Sequence, residues 1–167
     1  RAMGAWGLTF SAERGFALSG APAQFAYGRI ERNQRDGVSR FGLSLDRQLG
    51  AVSTALGINW LSEDRTMLGA HLHDGFGAAG ADSLFFDAAL GWQPSPRWQL
   101  NARWRSGMTR ARSGGLVMGS SALATQGWAL DASRLGLFAQ GDSLSLRLSQ
   151  PLRVSHGGLD LNLPTAW

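Results

Sequence analysis

Cysteine is absent from this chain, which excludes a disulfide framework and a thiolate metal site. No run of about 18 apolar residues occurs, so the sequence excludes a transmembrane helix. The charged, apolar and small-residue regions of a signal peptide are also missing. Because the first residue is Arg1 rather than methionine, we expect a mature product or an excised part of a longer protein.

Lysine is missing too, since all 16 basic residues are arginine. These arginines are scattered along the chain, whereas nucleic-acid-binding tracts are clustered. We therefore expect no nucleic acid as a partner. With 44% hydrophobic and 17% charged residues, the composition excludes a disordered chain and predicts one folded domain over residues 1–167. Only 5 prolines accompany 23 glycines, which suits tight turns and closely pressed strands and favours an all-β class.

Apolar and polar residues alternate with period two along much of the chain, which is typical of strands whose two faces meet different environments. The clear segments are 41–46, 52–60, 84–92, 98–106, 144–149 and 159–163. The weaker ones are 6–10, 15–19, 24–30 and 127–133. Together they predict an antiparallel sheet of about 8 to 12 strands, enough for a small closed barrel or for the larger part of a twelve-strand one.

Strand length and tryptophan placement favour a transmembrane β-barrel. A tilted strand needs about 9 to 11 residues to cross hydrocarbon, whereas strands of soluble proteins commonly have about 5 or 6. Tryptophans stand at strand ends, where an interfacial aromatic girdle would place them. The girdle candidates are Trp6, Trp60, Trp92, Trp98 and Trp167.

The residues that alternate with the apolar ones along each strand are too highly charged for a dry core, because unpaired buried charges are costly. They are expected to line a wet lumen or to hold something inside it. The lumen candidates are Asp46, Asp87, Asn101, Arg103, Arg105 and Arg147. Apolar and polar residues also alternate along the strands of a soluble sheet with one face in water. A soluble lipocalin-like binder therefore stays as an alternative.

Short connections at 47–50 and 94–96 and long ones at 62–82 and 107–126 fit a barrel with turns at one end and loops at the other. In this arrangement residues 66–73 belong to a long loop and do not form a membrane-spanning strand.

Catalytic signatures are missing, and we expect neither a catalytic residue nor a cofactor. Gly-x-Ser-x-Gly does not occur, and Ser120 lacks the strand and helix that expose a serine nucleophile. The glycine pattern 75–80 precedes a strand, whereas a nucleotide motif precedes a helix. His71, His73 and Asp74 are weak metal candidates because histidines two apart on a strand share one face. A polar loop rim is the simpler interpretation.

Several segments together resemble the carboxy-terminal autotransporter-like β-domain of subtilisin-family serine peptidases of sphingomonad-type bacteria. The similarity covers roughly residues 39–165 and is most specific in the tail. The segments that carry it are Leu68-Gly69-Ala70 with the glycine-rich stretch to Gly80, Phe85-Phe86-Asp87-Ala88, Ser120-Ser121-Ala122-Leu123, Ala129–Arg134, Gly136-Leu137-Phe138, Gly141-Asp142, Leu146-Arg147-Leu148, Gln150–Val154 and Gly157-Gly158-Leu159.

This resemblance implies an anchor or translocator in the outer membrane of a Gram-negative bacterium, with a peptidase passenger outside. The implied partners are the bilayer, the barrel-assembly machinery and the passenger or linker segment of the same longer chain, which would thread the lumen as a helix. No subtilisin-type Asp, His or Gly-Thr-Ser signature occurs, so no catalytic residue is carried over.

Similar domains continue beyond the position of Trp167, which implies that the final strands are absent here. If Trp167 is instead the terminus, an alternating last strand ending in an aromatic would be the insertion signal. Pro164 argues against a paired strand there. Three further alternatives are a stand-alone small barrel acting as a pore or structural protein, the soluble binder, and a barrel-embedded enzyme using His71, His73 or His156.

Overall fold

A computed structural model describes residues 6–18, 35–71, 79–139 and 141–163 of the chain. All regular elements in this part are strands. They are β1 (Trp6–Leu18), β2 (Arg35–Leu49), β3 (Val52–Glu63), β4 (Thr66–Met67), β5 (Ala70–His71), β6 (Ala81–Ser95), β7 (Trp98–Ala111), β8 (Ala122–Leu135) and β9 (Ser143–Gly158). The described residues include no helix long and apolar enough to cross a membrane.

Seven strands form one antiparallel meander in the order β1-β2-β3-β6-β7-β8-β9, and β4 and β5 form a separate two-stranded sheet. The predicted all-β antiparallel fold is therefore confirmed. The sheet is open, however, and no described strand pairs with the outer edge of β1 or β9. Among the described residues the sheet does not close into a barrel and has seven strands, fewer than the 8 to 12 predicted for a barrel that this chain holds completely or in part.

Three segments explain the lower strand count. Residues 6–10 and 15–19 were predicted as separate strands, but residues 6–18 form one continuous strand paired along its whole length with β2. The predicted strand at 159–163 is wrong, because there only Leu161 pairs, in an isolated bridge with Val117. The candidate at 24–30 lies outside the described residues.

The register assigns the two sequence parities to two faces, because paired residues project to the same side of a sheet. Leu45 pairs with Leu56, and Leu56 with Ala88. One residue along, Asp46 pairs with Ala55, and Ala55 with Ala89. We call the first side the apolar face and the second the polar face.

The strand connections differ between the two ends of the sheet. At the turn end, two residues join β2 to β3, Pro96 and Arg97 join β6 to β7, and residues 136–142 join β8 to β9. At the loop end, residues 64–80 and 112–121 make the longer connections. The predicted separation of short and long connections is confirmed.

The β4–β5 hairpin lies within a loop and not in the main sheet, as predicted for this segment. Its two turn residues, Leu68 and Gly69, have φ of 53° and 78°. Positive φ at both positions is the backbone of a type I′ turn, whose twist matches that of the flanking strands. Leucine at such a position is strained, and it is held by the Glu63 contacts described below.

Strand β9 carries two register shifts against β8, which lie beside Pro151 and Ser155. Proline donates no ladder hydrogen bond, so it is tolerated at a bulge on an edge strand. The bulge at Pro151 lets β9 continue to Gly158 at the loop end.

A small core lies at the loop end and not within the sheet. It consists of Met67, Ala79, Ala81, Ala111 and Val117, with Leu68 and Leu123 packed against it. The loops therefore fold over one end of the sheet and leave its two faces uncovered by the described residues.

The β8–β9 turn is shaped by the Asp142 carboxylate, which accepts hydrogen bonds from the backbone N–H groups of Leu137, Phe138 and Ala139 at 2.8, 2.8 and 3.0 Å. The bond from Phe138 contributes most, and together these bonds lower the pKa of Asp142 below its ordinary value of 3.8. A lowered folded-state pKa stabilises the turn above pH 3.8, and this contribution is lost as the pH falls through the folded-state value.

We expect exchange protection of these three amides to fall as the pH drops below 3.8. In Asp142→Asn the protection of these amides should already be lower than in wild type at neutral pH, and it should not fall further in acid. Hydrogen exchange, corrected for the intrinsic rate at each pH, measures this. Equal protection of the two proteins at pH 7 would contradict the role assigned to the carboxylate.

Candidate functional site

The apolar face is exposed although it carries most of the large hydrophobic side chains. Among the described residues thirty large hydrophobic side chains are exposed, while six hydrophobic residues are buried. Monomeric soluble proteins rarely expose a continuous apolar surface of this kind. Each strand of the sheet contributes to it. Representative members are Leu8, Phe10, Leu43, Leu45, Leu56, Ile58, Phe86, Leu90, Trp104, Leu130, Leu146 and Leu148.

Four of the five predicted girdle tryptophans lie on this face. Trp6, Trp92 and Trp98 lie near the turn end, and Trp60 lies nearer the loop end, where its ring stacks on Phe41 with centroids 5.6 Å apart. All four are exposed, and Trp167 lies outside the described residues.

The tryptophans are not confined to the strand ends. Trp104 and Trp128 pair with each other across β7 and β8 in the middle of the apolar face. The sequence analysis did not include these two tryptophans in the girdle, and the girdle itself stays a prediction.

Two of the arginines on the apolar face lie beside turn-end tryptophans. The guanidinium carbon of Arg47 is 4.8 Å from the centroid of the Trp6 ring, and that of Arg134 is 5.3 Å from the Trp98 ring. A guanidinium over an indole ring is attracted by the ring quadrupole. The sequence analysis missed both, although each stands on the apolar parity of its strand.

On the polar face, hydrogen bonds connect side chains across four strands and an ion pair extends the chain to a fifth. Arg105 forms a bidentate pair with Asp87, with N···O distances of 2.5 and 3.1 Å. The Asn59 amide donates to Asp87 at 2.6 Å and accepts from Arg40 at 3.1 Å. Arg40 in turn lies 3.9 Å from Glu13. A chain of this length fixes several neighbouring strands at once.

A second bidentate ion pair lies further along the same face. Arg147 on β9 forms a bidentate pair with Asp131 on β8, with N···O distances of 2.6 and 3.2 Å. Asp46, Asn101 and Arg103 also face this side, and no side-chain hydrogen bond or ion pair to a described residue is seen for any of them.

All six predicted lumen residues therefore share the polar face, and two of them, Asp87 and Arg105, pair with each other. Their role in lining a lumen stays a prediction. The sequence analysis missed Arg40, Asn59 and Asp131 as members of this set. Their position on the polar parity of their strands was the signal that could have found them.

The polar face is the concave side of the sheet. It lines a hollow of about 510 Å³ to which residues from Ser11 on β1 to Gln150 on β9 contribute, and seven strands can share one hollow only if the sheet curls. Glycines leave room there: a Cβ at Gly42 would lie 2.6 Å from Asn59 Oδ1, and one at Gly7 would lie 2.6 Å from the Asp46 carboxylate. Small residues thus let charged side chains lie flat against the concave backbone.

At the loop end the Glu63 carboxylate is buried, with 2% of the residue exposed. It accepts from Thr66 Oγ1 at 2.8 Å and from the backbone N–H groups of Leu68 and Gly69 at 2.7 and 2.8 Å. Arg112 donates to the Glu63 carbonyl at 2.5 Å and lies 3.5 Å from Asp82. These contacts fold the long loop back onto β3.

The tail after β9 is tied to the β7–β8 loop. The Ser120 hydroxyl donates to Asp160 at 2.7 Å, and the Met118 N–H donates to the Asp160 carbonyl at 2.9 Å. Ser120 therefore has a structural partner, which agrees with its interpretation as a loop residue.

Two of the three weak metal candidates cannot be placed, so a metal site there stays a prediction. His71 ends β5 at the loop end, and His73 and Asp74 lie outside the described residues. No group of three or more potential metal ligands occurs among the residues that can be placed. The glycine pattern 75–80 runs into β6 and not into a helix.

Comparisons with protein-family models, curated proteins and solved structures found no match. The two faces of the sheet are therefore the observations from which a function is inferred.

Proposed function

We propose that this chain is the membrane-embedded part of an outer-membrane β-barrel that anchors or translocates a passenger segment of the same polypeptide. The observation that carries the proposal is the pairing of an exposed apolar face with a concave, charged face on one curled sheet. In this proposal the apolar face meets lipid and the polar face meets a lumen.

A soluble β-protein would have the reverse arrangement. A soluble sandwich or lipocalin-like binder packs its apolar face inward and solvates the polar one. Here the concave side carries Asp87, Arg105, Asp131 and Arg147, while the leucines and tryptophans are on the opposite side. No described helix or second large sheet covers that apolar side.

Strand length supports a membrane span. The seven strands of the sheet have 12 to 16 residues, or roughly 40 to 50 Å at about 3.3 Å per residue. At a tilt of about 40° such strands cross an apolar band of about 25 Å and extend beyond it. Trp6, Trp92 and Trp98, with the two arginines beside them, mark the edge of this band at the turn end.

Closure requires strands beyond these seven. In a meander β1 and β9 run in the same direction, so they cannot pair with each other antiparallel. An even-stranded barrel therefore needs an odd number of further strands between them. We propose that other parts of the full polypeptide supply these strands.

The concave hollow favours an anchor or translocator over a free pore. Its charges are largely paired across neighbouring strands, and Asp46 and Arg103 offer one charge of each sign to a segment lying inside. The resemblance to the β-domain of autotransporter-like serine peptidases suggests a linker helix as that segment. No catalytic role is proposed for this chain, and a stand-alone barrel is the second candidate because the hollow is open.

Fractionation of the protein as its host makes it tests the proposal. The expected result is recovery in the outer membrane, resistance to alkaline extraction, and a faster-migrating band on unheated gels that shifts on boiling. A soluble protein without a shift would overturn the membrane assignment. A membrane protein that conducts ions in planar bilayers and carries no segment accessible to protease on intact cells would favour the stand-alone pore.

A further inference from the structure

The apolar face holds a groove of about 360 Å³ that runs over β6, β7, β8 and β9. Its walls are almost entirely aliphatic and aromatic. They include Leu90, Trp92, Leu100, Leu130, Leu146 and Leu148. An apolar groove within an apolar face suits a flexible hydrocarbon chain better than a rigid or polar molecule.

Arg134 lies directly beyond the turn end of this groove. It follows Ala132, which lines the groove, by two residues on the same face, and it pairs with Trp98 on β7 and Leu144 on β9. From the row of Leu130 to the row of Arg134 is about 13 Å along the strand. Arg134 thus extends the groove from its turn end toward the aqueous interface.

The Arg134 guanidinium has no counter-ion among the described residues. Its Nε is buried without a hydrogen-bond partner, and its planar group lies over the Trp98 ring. A guanidinium without a counter-ion has several N–H donors available for an oxygen anion from outside the chain. Its forked donors match the geometry of a phosphate as well as that of a carboxylate.

We propose that this groove binds one acyl chain of an anionic glycerophospholipid, with the lipid phosphate on Arg134 and Trp98 at the level of the headgroup. The proposal rests on the membrane location proposed above. It follows from charge complementarity, since one end of the site is cationic and the remainder is apolar. A second protein copy docked here would desolvate Arg134 without neutralising it, which is costly.

The chain offers a matched control in Arg47. This arginine also lies over a turn-end tryptophan, Trp6, and its Nε is likewise buried without a partner. Arg47 does not line the groove. Replacing it therefore removes an interfacial arginine and a cation–π contact, and it leaves the proposed lipid site intact.

Native mass spectrometry of the purified full-length protein, titrated with phosphatidylglycerol or phosphatidylcholine, tests the site. We expect a preference for phosphatidylglycerol, a roughly tenfold weaker affinity for it in Arg134→Gln, corresponding to about 1.4 kcal/mol, and little change in Arg47→Gln. Ala132→Trp, which fills the groove, should lower retention of both lipids.

Each variant is first checked for the heat-dependent gel shift, so that loss of folding is seen separately. Equal retention of the two lipids by the wild type, or an unchanged affinity in both Arg134→Gln and Ala132→Trp, would overturn the lipid site. If Arg134→Gln does not fold, the lipid retention of Ala132→Trp alone tests the site. A wild-type protein that inserts without a lipid preference refutes this inference alone, whereas one that does not enter the membrane refutes the proposed function.

Discussion

Leu56→Arg is expected to destabilise the protein in a lipid bilayer by about 2 to 4 kcal/mol, the cost of an arginine facing lipid near the middle of the membrane. Leu56 lies in the middle of β3 on the apolar face, where it pairs with Leu45 and Ala88 and is 61% exposed. In water the same change would place a charge on an exposed surface and would cost little. Urea titration of the folded protein in vesicles, followed by the gel shift, measures the difference.

Ala55→Arg is the matched control, since it adds the same charge to the next residue of the same strand. Ala55 lies on the polar face directly opposite Asp46, whose carboxylate can pair with the new guanidinium. We expect its free energy of unfolding to stay within about 1 kcal/mol of wild type. If both variants lose the same stability, the two faces do not meet different solvents and the membrane proposal is wrong.

Glu63→Ala is expected to open the β4–β5 hairpin. The change removes the acceptor of three hydrogen bonds, from Thr66, Leu68 and Gly69. It leaves the Thr66 hydroxyl in a buried site and the two backbone N–H groups in a partly buried one. We expect the local opening free energy to fall by on the order of 3 kcal/mol, which corresponds to a hundredfold or larger increase in amide exchange over residues 66–70. Hydrogen exchange followed by mass spectrometry resolves this segment.

Glu13→Ala serves as the comparison for a carboxylate that is not buried. Its side chain is 67% exposed and lies 3.9 Å from Arg40, a geometry that contributes little. Exchange at the loop end should match wild type in this variant. Unchanged exchange over residues 66–70 in Glu63→Ala would show that the type I′ turn and the small core hold the hairpin without the carboxylate.

The division of the sheet into two faces could be predicted from the sequence because side-chain direction in a strand has a strict period of two. Leu56 and Ala55 are assigned to opposite sides by counting alone, and the register confirms the assignment. The assignment of residues 66–73 to a loop was predicted by placing both long connections at one end of the sheet, and residues 66–71 form a hairpin outside the main sheet.

Pairing across strands could not be predicted in the same way. The Asn59–Asp87 contact joins residues 28 apart, and it depends on a register that single-strand periodicity does not contain. The burial of Glu63 was missed because its acceptors are satisfied by backbone N–H groups of a turn, which leave no mark in the sequence. The tail at 159–163 was misassigned because alternation continues after the chain has left the sheet to cover the β7–β8 loop.

The open edges of the sheet have a consequence for how the protein reaches its destination. On their outer sides β1 and β9 each present a row of backbone N–H and C=O groups that no described strand pairs with, beside a face rich in exposed apolar side chains. Such an edge is a template for pairing with any extended chain, including another copy of itself. If the chain is an outer-membrane protein, as proposed, a newly made molecule has to cross an aqueous compartment. We expect it to aggregate there more readily at higher concentration and to require a holding chaperone until its edges are paired.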